Sequence, residues 1–341
     1  MSLIIYPPTL DWSWMKQRPQ HIMSQLARSG HTVYYCNRTQ SQRPLEELEP
    51  RLYLVHQHDH WIREELSQLR AGKRAVIGVW CTQASQARDL KQLYQPDWIL
   101  YDCVDDFAHA APHEEEMVEL SDAIICTSGR LHLRLTASYP ARRIELIRNG
   151  YDADMQLHLP LSGDGMPDLS RSTNEKIIGY VGAWAPWVDE ILIRKLAVIP
   201  GVKIVIIGAE FERKFRASSY QDNVVYLGMK SHEQLAGYIR LFDVCIIPFK
   251  ITPVTLATNP IKAYEYLASG KPVVTTDMPE CRALEPYLDT AGSHAEFIRK
   301  VINRLEHPGN PTARIQFALM HTWEQRMHPI KALIREIEAA R

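Results

Sequence analysis

The densest chemistry in the chain lies in Thr258-Asn-Pro-Ile-Lys-Ala-Tyr-Glu-Tyr-Leu-Ala-Ser-Gly-Lys-Pro-Val-Val274. Asn259 is a preferred helix N-cap and Pro260 suits the first helical position, so a helix start is well marked. A helix N-terminus presents unpaired N–H groups and partial positive charge, and Lys262 adds a full charge in the first turn. Glu265, a little over one turn in, is placed to reach hydroxyls beside an anion bound there. The plainer alternative is an ordinary capped helix that packs Ile261, Tyr264 and Leu267 into a core and ends at Gly270.

Two further groups carry chemical promise. Gln17, Arg18 and His21 stand at a loop-to-helix junction after the first strand, and arginine binds phosphate bidentately. In the plainer alternative Trp12 and Trp14 pack that loop while Arg18 and Gln20 are solvated. Asp102, Asp105 and Asp106 follow another strand, where a carboxylate takes a proton from a hydroxyl or stabilises a cationic transition state. Loop aspartates are commonly turn residues, so at most one is expected to act, with Asp105 or Asp106 ahead of Asp102. His21, Asp105 and Asp106 are the catalytic candidates.

Three patterns are weaker. Asp152-Ala-Asp154 has a metal-chelating spelling but follows the Asn149-Gly150 turn, and it is read as structural. His56-Gln-His-Asp-His60 lacks the converging donors of a zinc site, and no metal site is expected. Gly179-Tyr-Val-Gly-Ala-Trp184 is a strand and turn without G-x-G-x-x-G, so no nicotinamide fingerprint is present.

The elements that position these residues alternate. Leu3–Tyr6, Thr32–Cys36, Ala75–Val79, Trp98–Tyr101, Ala123–Cys126 and Arg143–Ile147 read as strands, mostly apolar without alternation, as in a sheet covered on both faces. Helical patterns fall at Gln20–Arg28, Trp61–Leu69, Glu114–Leu120 and Leu131–Ser138. A second series has strands at Ile177–Val181, Lys203–Ile207, Val224–Leu227, Val244–Pro248 and Pro272–Thr275. Its helices are Leu192–Val198, His232–Leu241, Pro260–Ser269 and Ala295–Leu305. Thr312–Ala340 is a helical tail interrupted near Pro329.

This order predicts an α/β chain of two Rossmann-like, doubly wound parallel-sheet domains facing a cleft. The expected divisions are 1–155, a Gly/Pro/Ser/Asp-rich linker at 156–174, a second domain over 175–320, and a final helix at 321–341 packing back on the first.

A length of 341 residues suits two domains, and a net charge of −1 argues against a nucleic-acid binder. The 6 cysteines are scattered without C-x-x-C, which fits a reducing compartment. With no basic, apolar leader and no stretch of 18 apolar residues, a soluble cytoplasmic protein is expected. Arg130, Arg134, Arg142 and Arg143 form a basic patch suited to peripheral contact with the inner face of a membrane, although solvated helix charge explains it as well.

Seven segments in order carry a resemblance: Asp11-Trp-Ser-Trp-Met-Lys-Gln-Arg-Pro-Gln-His21, Tyr101-Asp-Cys-Val-Asp-Asp-Phe107, Asp122-Ala-Ile-Ile-Cys-Thr-Ser128, Arg148-Asn-Gly-Tyr-Asp152, Gly179–Trp184, Asp243-Val-Cys-Ile-Ile-Pro-Phe249 and His321-Thr-Trp-Glu324. With the Thr258–Val274 segment, they resemble the GT-B glycosyltransferases, in the family 4-like group that includes teichuronic acid biosynthesis enzymes.

The resemblance implies transfer of a sugar from a UDP- or GDP-linked donor to a saccharide or lipid-linked saccharide of the cell envelope, with retention of configuration and without a metal or other cofactor. It implies that Glu265 binds the ribose hydroxyls and that the backbone around Thr258 and Asn259 faces the diphosphate. Gly208 and Gly228-Met229-Lys230 would border the base, with Gly182, Ala183 and Trp184 also in the donor site.

There are departures from the family pattern. An earlier glutamate of the larger family is Ala257 here, and a common Arg/Lys pair is replaced by Trp184-Ala-Pro-Trp-Val-Asp189. That leaves the phosphate charge to Lys262 and the helix start, with help from Arg18. Two rivals follow from these losses: a nucleotide-sugar epimerase or hydrolase on the same fold, and a catalytically silent nucleotide-sugar-binding subunit of a polysaccharide-synthesis complex.

Overall fold

Short apolar strands followed by amphipathic helices fold here into two separate α/β units. The computed structural model describes residues 1–72, 76–106, 111–160, 167, 169 and 174–341. One unit is Met1–Arg148 together with Trp323–Arg341, and the other is Asn149–Thr322.

Among the described residues, the first unit's sheet contains β1 (Leu3–Tyr6), β2 (Thr32–Cys36), β3 (Leu45–Glu49), β4 (Leu52–Val55), β5 (Ile77–Cys81), β6 (Trp98–Cys103), β7 (Ala123–Cys126) and β8 (Ile144–Leu146). Their order is β3-β4-β2-β1-β5-β6-β7-β8. Every pairing is parallel except β3 with β4. β1, β5, β6 and β7 are buried at every position, because helices cover both faces.

The second unit's sheet contains β9 (Lys176–Val181), β10 (Val202–Ile207), β11 (Val224–Tyr226), β12 (Val244–Ile247), β13 (Val273–Thr276) and β14 (Asp289–Ala291). Its order is β11-β10-β9-β12-β13-β14, all parallel. The chain starts in the middle of this sheet, winds out to β11, then returns to the other side of β9 as β12. The point between β9 and β12, where the winding reverses, is where such sheets bind ligands at their strands' carboxyl ends.

Several expectations need correction. The boundary falls after Arg148, not after 155, and the described part of the expected 156–174 linker belongs to the second unit. Tyr151 is the reason: its N–H donates to His321 O at 2.9 Å, and its hydroxyl accepts from Leu157 N–H at 2.8 Å. Tyr151, Met155 and Leu157 are consequently buried in that unit's core. Residues 161–166, 168 and 170–173 of the expected linker lie outside the described residues, as does the expected strand residue Ala75.

The tail is two helices, Pro311–Leu319 and Trp323–Ala339, and Pro329 lies inside the second. The break comes at residues 320–322, where Thr322 pairs with Tyr151 and the chain leaves the second unit. β3, β4, β14 and the Ala87–Tyr94 helix were not anticipated. β3 reads Leu-Glu-Glu-Leu-Glu, an acidic edge strand without a buried-strand pattern.

All 6 cysteines are buried thiols. Burial pushes the thiols of Cys81 and Cys281 up to about 12, and it raises Cys36, Cys103 and Cys245 as well. Since the thiolate is the reactive form, Ellman's reagent should label none of them in the native protein and all 6 in denaturant. Rapid native labelling of any one would contradict this packing.

Candidate functional site

The reversal point of the second sheet is flanked by the helix Ile261–Ala268, and a tyrosine fixes that helix to it. Tyr266, fully buried, accepts a hydrogen bond at its hydroxyl from Val181 N–H at 2.7 Å, at the last residue of β9. One residue earlier, Glu265 is also fully buried. Its Oε2 accepts from Lys262 Nζ at 3.0 Å, whereas Oε1 has no hydrogen-bond partner among the described residues. A buried carboxylate oxygen left unpaired is costly, and a ligand donor such as a hydroxyl removes that cost.

The helix start differs from expectation. Pro260, not Asn259, occupies the N-cap position, and no side chain among the described residues caps the helix. Asn259 is buried and committed elsewhere: Oδ1 accepts from Asn149 N–H at 2.9 Å, and Nδ2 donates to Glu280 Oε2 at 3.0 Å and Tyr264 Oη at 3.2 Å. Thr258 ends the preceding short helix, Pro253–Ala257, and its hydroxyl donates to Val254 O at 2.9 Å. Asn149, Tyr264, Tyr266 and Glu280 were missed as site-shaping residues. Asn149, Tyr264 and Tyr266 lay within quoted segments, whereas Glu280 carried no signal.

The glycine loops close on one another. Gly208 has φ +155°, and a Cβ there would lie 1.8 Å from Gly182 O. Gly182 N–H donates to Ile207 O at 2.8 Å and Gly208 N–H to Gly228 O at 3.0 Å, so the ends of β9, β10 and β11 are laced by backbone. Ala183 is half-buried, and its carbonyl accepts from Tyr180 Oη at 2.9 Å. The Trp184 indole is fully buried, edge-on to Phe215 and Tyr220, so its ring packs in the core. Met229 is exposed, and Lys230 places Nζ 5.8 Å from the Tyr238 ring centre.

In the first unit, Arg18 also departs from expectation. It is 1% exposed, with Nε 3.0 Å and 2.8 Å from the two oxygens of fully buried Asp102, and it donates to Ile147 O at 2.9 Å. Asp102 also accepts from Trp80 Nε1 at 3.1 Å. The guanidinium therefore neutralises an interior carboxylate, which answers for both residues without a phosphate. His21 is buried and stacked on Trp323, ring centres 4.9 Å apart.

Asp105 and Asp106 are half-buried beyond β6. Asp106 Oδ1 lies 3.4 Å from Arg134 Nε, and the same guanidinium forks onto Glu114, with one contact at 2.9 Å. Bonding to Glu114 holds the Arg134 charge firmly, raising its pKa further. Phe107 of the expected motif lies outside the described residues.

The remaining patterns are local structure. Asp152 caps a short turn through Asp154 N–H at 3.2 Å and binds His232 Nε2 at 3.1 Å. His56 pairs with Asn37, His58 with Tyr94, and His60 is exposed, so the three imidazoles diverge. Three of the four patch arginines are engaged: Arg134 as above, Arg142 on Ser121 O, and Arg143 on Glu336 and Glu145.

Comparison with known proteins agrees with this architecture. Residues 175–307 match the family model described as Glycosyl transferases group 1. TuaH of Bacillus subtilis (strain 168), provisionally named a teichuronic acid biosynthesis glycosyltransferase, is 26% identical over 226 residues, covering 58% of this chain and 55% of that protein. The chain spans about half the length of the curated relatives it matches.

Among solved structures, sucrose-phosphate synthase from Thermosynechococcus elongatus superposes with a TM-score of 0.74 at 16% identity over 100% of both chains. Anabaena Alr3699/HepE, solved with UDP-glucose, gives 0.66 at 12% identity, covering 98% of this chain and 100% of that one. These likenesses show the fold, which is GT-B.

The Arg18–Asp102 pair gives a stability test. Removing the guanidinium strands a buried carboxylate, so Arg18→Met should cost about 3–5 kcal/mol in urea unfolding. Asp102→Asn in the same background should recover part of that loss. A cost below about 1 kcal/mol, the usual size for an exposed pair, would return Arg18 to ligand duty.

Proposed function

We propose that this chain, whose residues 175–307 match the family model of the group 1 glycosyltransferases, transfers a sugar from a UDP- or GDP-linked donor held by its second unit. The acceptor is a saccharide or lipid-linked saccharide of cell-surface polysaccharide synthesis. The observation that carries the reading is Glu265: a carboxylate without solvent exposure, paired through Oε2 to Lys262 and unpartnered at Oε1 among the described residues. A ribose hydroxyl donating to Oε1 completes its hydrogen bonding. The uncapped start of the Ile261–Ala268 helix and the Lys262 charge then suit the adjoining diphosphate.

The laced backbone at Gly182, Gly208 and Gly228 supports a flat nucleoside lying close to main chain, with exposed Met229 and half-buried Lys230 bordering it. Among the first unit's residues, Asp105, Asp106 and His21 are the catalytic candidates, and Arg134 orients Asp106. Charge neutralisation by Lys262 and the helix start leaves no step that calls for a metal, so turnover is expected to survive EDTA. Retention of anomeric configuration is part of the same proposal and is read from product NMR. Work at the cytoplasmic face of a membrane fits the lipid-linked acceptor, and no helix among the described residues is long and apolar enough to cross one.

Calorimetric titration of UDP and GDP tests the site. A hydrogen bond to a charged group contributes roughly 1.5–3 kcal/mol, so Glu265→Ala should weaken the preferred nucleotide on the order of 10- to 100-fold. Unchanged affinity would overturn the assignment.

A further inference from the structure

We propose that Glu280 is a positioning residue for the nucleotide site, acting through Asn259; the proposal rests on the reading that the Ile261–Ala268 helix holds the nucleotide.

Asparagine is among the best helix caps, yet Asn259 stands one residue before the N-cap and caps nothing. Its side-chain oxygen, side-chain amide and carbonyl all have partners other than the helix's first-turn N–H groups. Its Oδ1 accepts from Asn149 N–H at 2.9 Å, and its carbonyl accepts from Asn149 Nδ2 at 2.6 Å, a reciprocal pair of buried asparagines. Its Nδ2 donates to Glu280 Oε2 at 3.0 Å and to Tyr264 Oη at 3.2 Å. Glu280, 4% exposed, stands on the short Pro279–Arg282 helix that follows β13, so the clamp ties this loop to the sheet.

Two consequences follow. The amide of Asn259 cannot swing onto the first-turn N–H groups, so those groups stay available to an anion. The turn at Asn149 and the loop before the helix also share one buried network, in which losing any partner strands another. Glu280 supplies the charged acceptor that fixes which way the Asn259 amide faces. Replacing it with alanine leaves the Asn259 amide held through Asn149 N–H and Tyr264 Oη among the described residues, and loosens it. Glutamine keeps an acceptor oxygen in nearly the same place.

Hydrogen exchange by mass spectrometry on the full chain, with UDP and GDP titrations, tests this. Glu280→Ala should speed exchange across residues 258–268 about 10-fold while leaving β9 and β10 within about 2-fold. It should weaken the preferred nucleotide about 10-fold, and Glu280→Gln should recover most of both losses.

Unchanged exchange over 258–268, acceleration shared equally by β9 and β10, or a glutamine variant no better than alanine would each overturn the proposal. If the unaltered protein binds neither nucleotide, the donor reading fails. The exchange data then still decide whether Glu280 positions the helix.

Discussion

A carboxylate removed from water must be compensated by its surroundings or it unfolds them. Among the described residues Glu265 is compensated on one side only, through Oε2. Lys262, one turn earlier on the same helix, provides the counter-charge. Tyr266, the next residue, locks the helix to the last residue of β9, so the Glu265 carboxylate is held beside the point where the sheet reverses its winding. Such a carboxylate is a poor device for stability, since an apolar residue of similar volume would often serve as well or better. Its cost makes sense as preparation for a donor that arrives with the ligand.

The first unit solves the same problem in the opposite way. Asp102 is as buried as Glu265, but both of its oxygens are satisfied by Arg18, with Trp80 adding a third contact. A carboxylate with both oxygens engaged in the interior acts as a structural tie, and its arginine is drawn inward with it. Comparing these two glutamate and aspartate sites separates interior electrostatics from ligand recognition more clearly than charge counts do. It also shifts the weight of any phosphate contact onto Lys262 and an uncapped helix start.

Much of the fold was legible because strands buried on both faces read as continuous apolar runs, and β1, β2, β7 and the His232–Leu241 helix were bounded correctly from sequence. Acidic β3 and three-residue β14 lack that signature and were invisible. The unit boundary was misplaced because Tyr151 is followed by turn-forming residues that look like a linker, yet its ring and backbone anchor them in the second core.

At the site, Glu265 and Lys262 stood out by type and spacing. The capping of the helix was misread by one residue, because Asn259 has the side chain of a cap but long-range partners, Asn149 and Glu280, that no local pattern reveals. Trp184 was placed in the donor site by resemblance, and its packing against Phe215 and Tyr220 is a tertiary contact that no local pattern reveals.

The most direct measurement is a crystal structure of the protein with the nucleotide, UDP or GDP, that binds it. This account requires a ribose hydroxyl within hydrogen-bond distance of Glu265 Oε1, the Lys262–Glu265 pair intact, and phosphate oxygens at the start of the Ile261–Ala268 helix. A nucleotide seated elsewhere, or Oε1 satisfied by a protein group with the ribose out of reach, would contradict it.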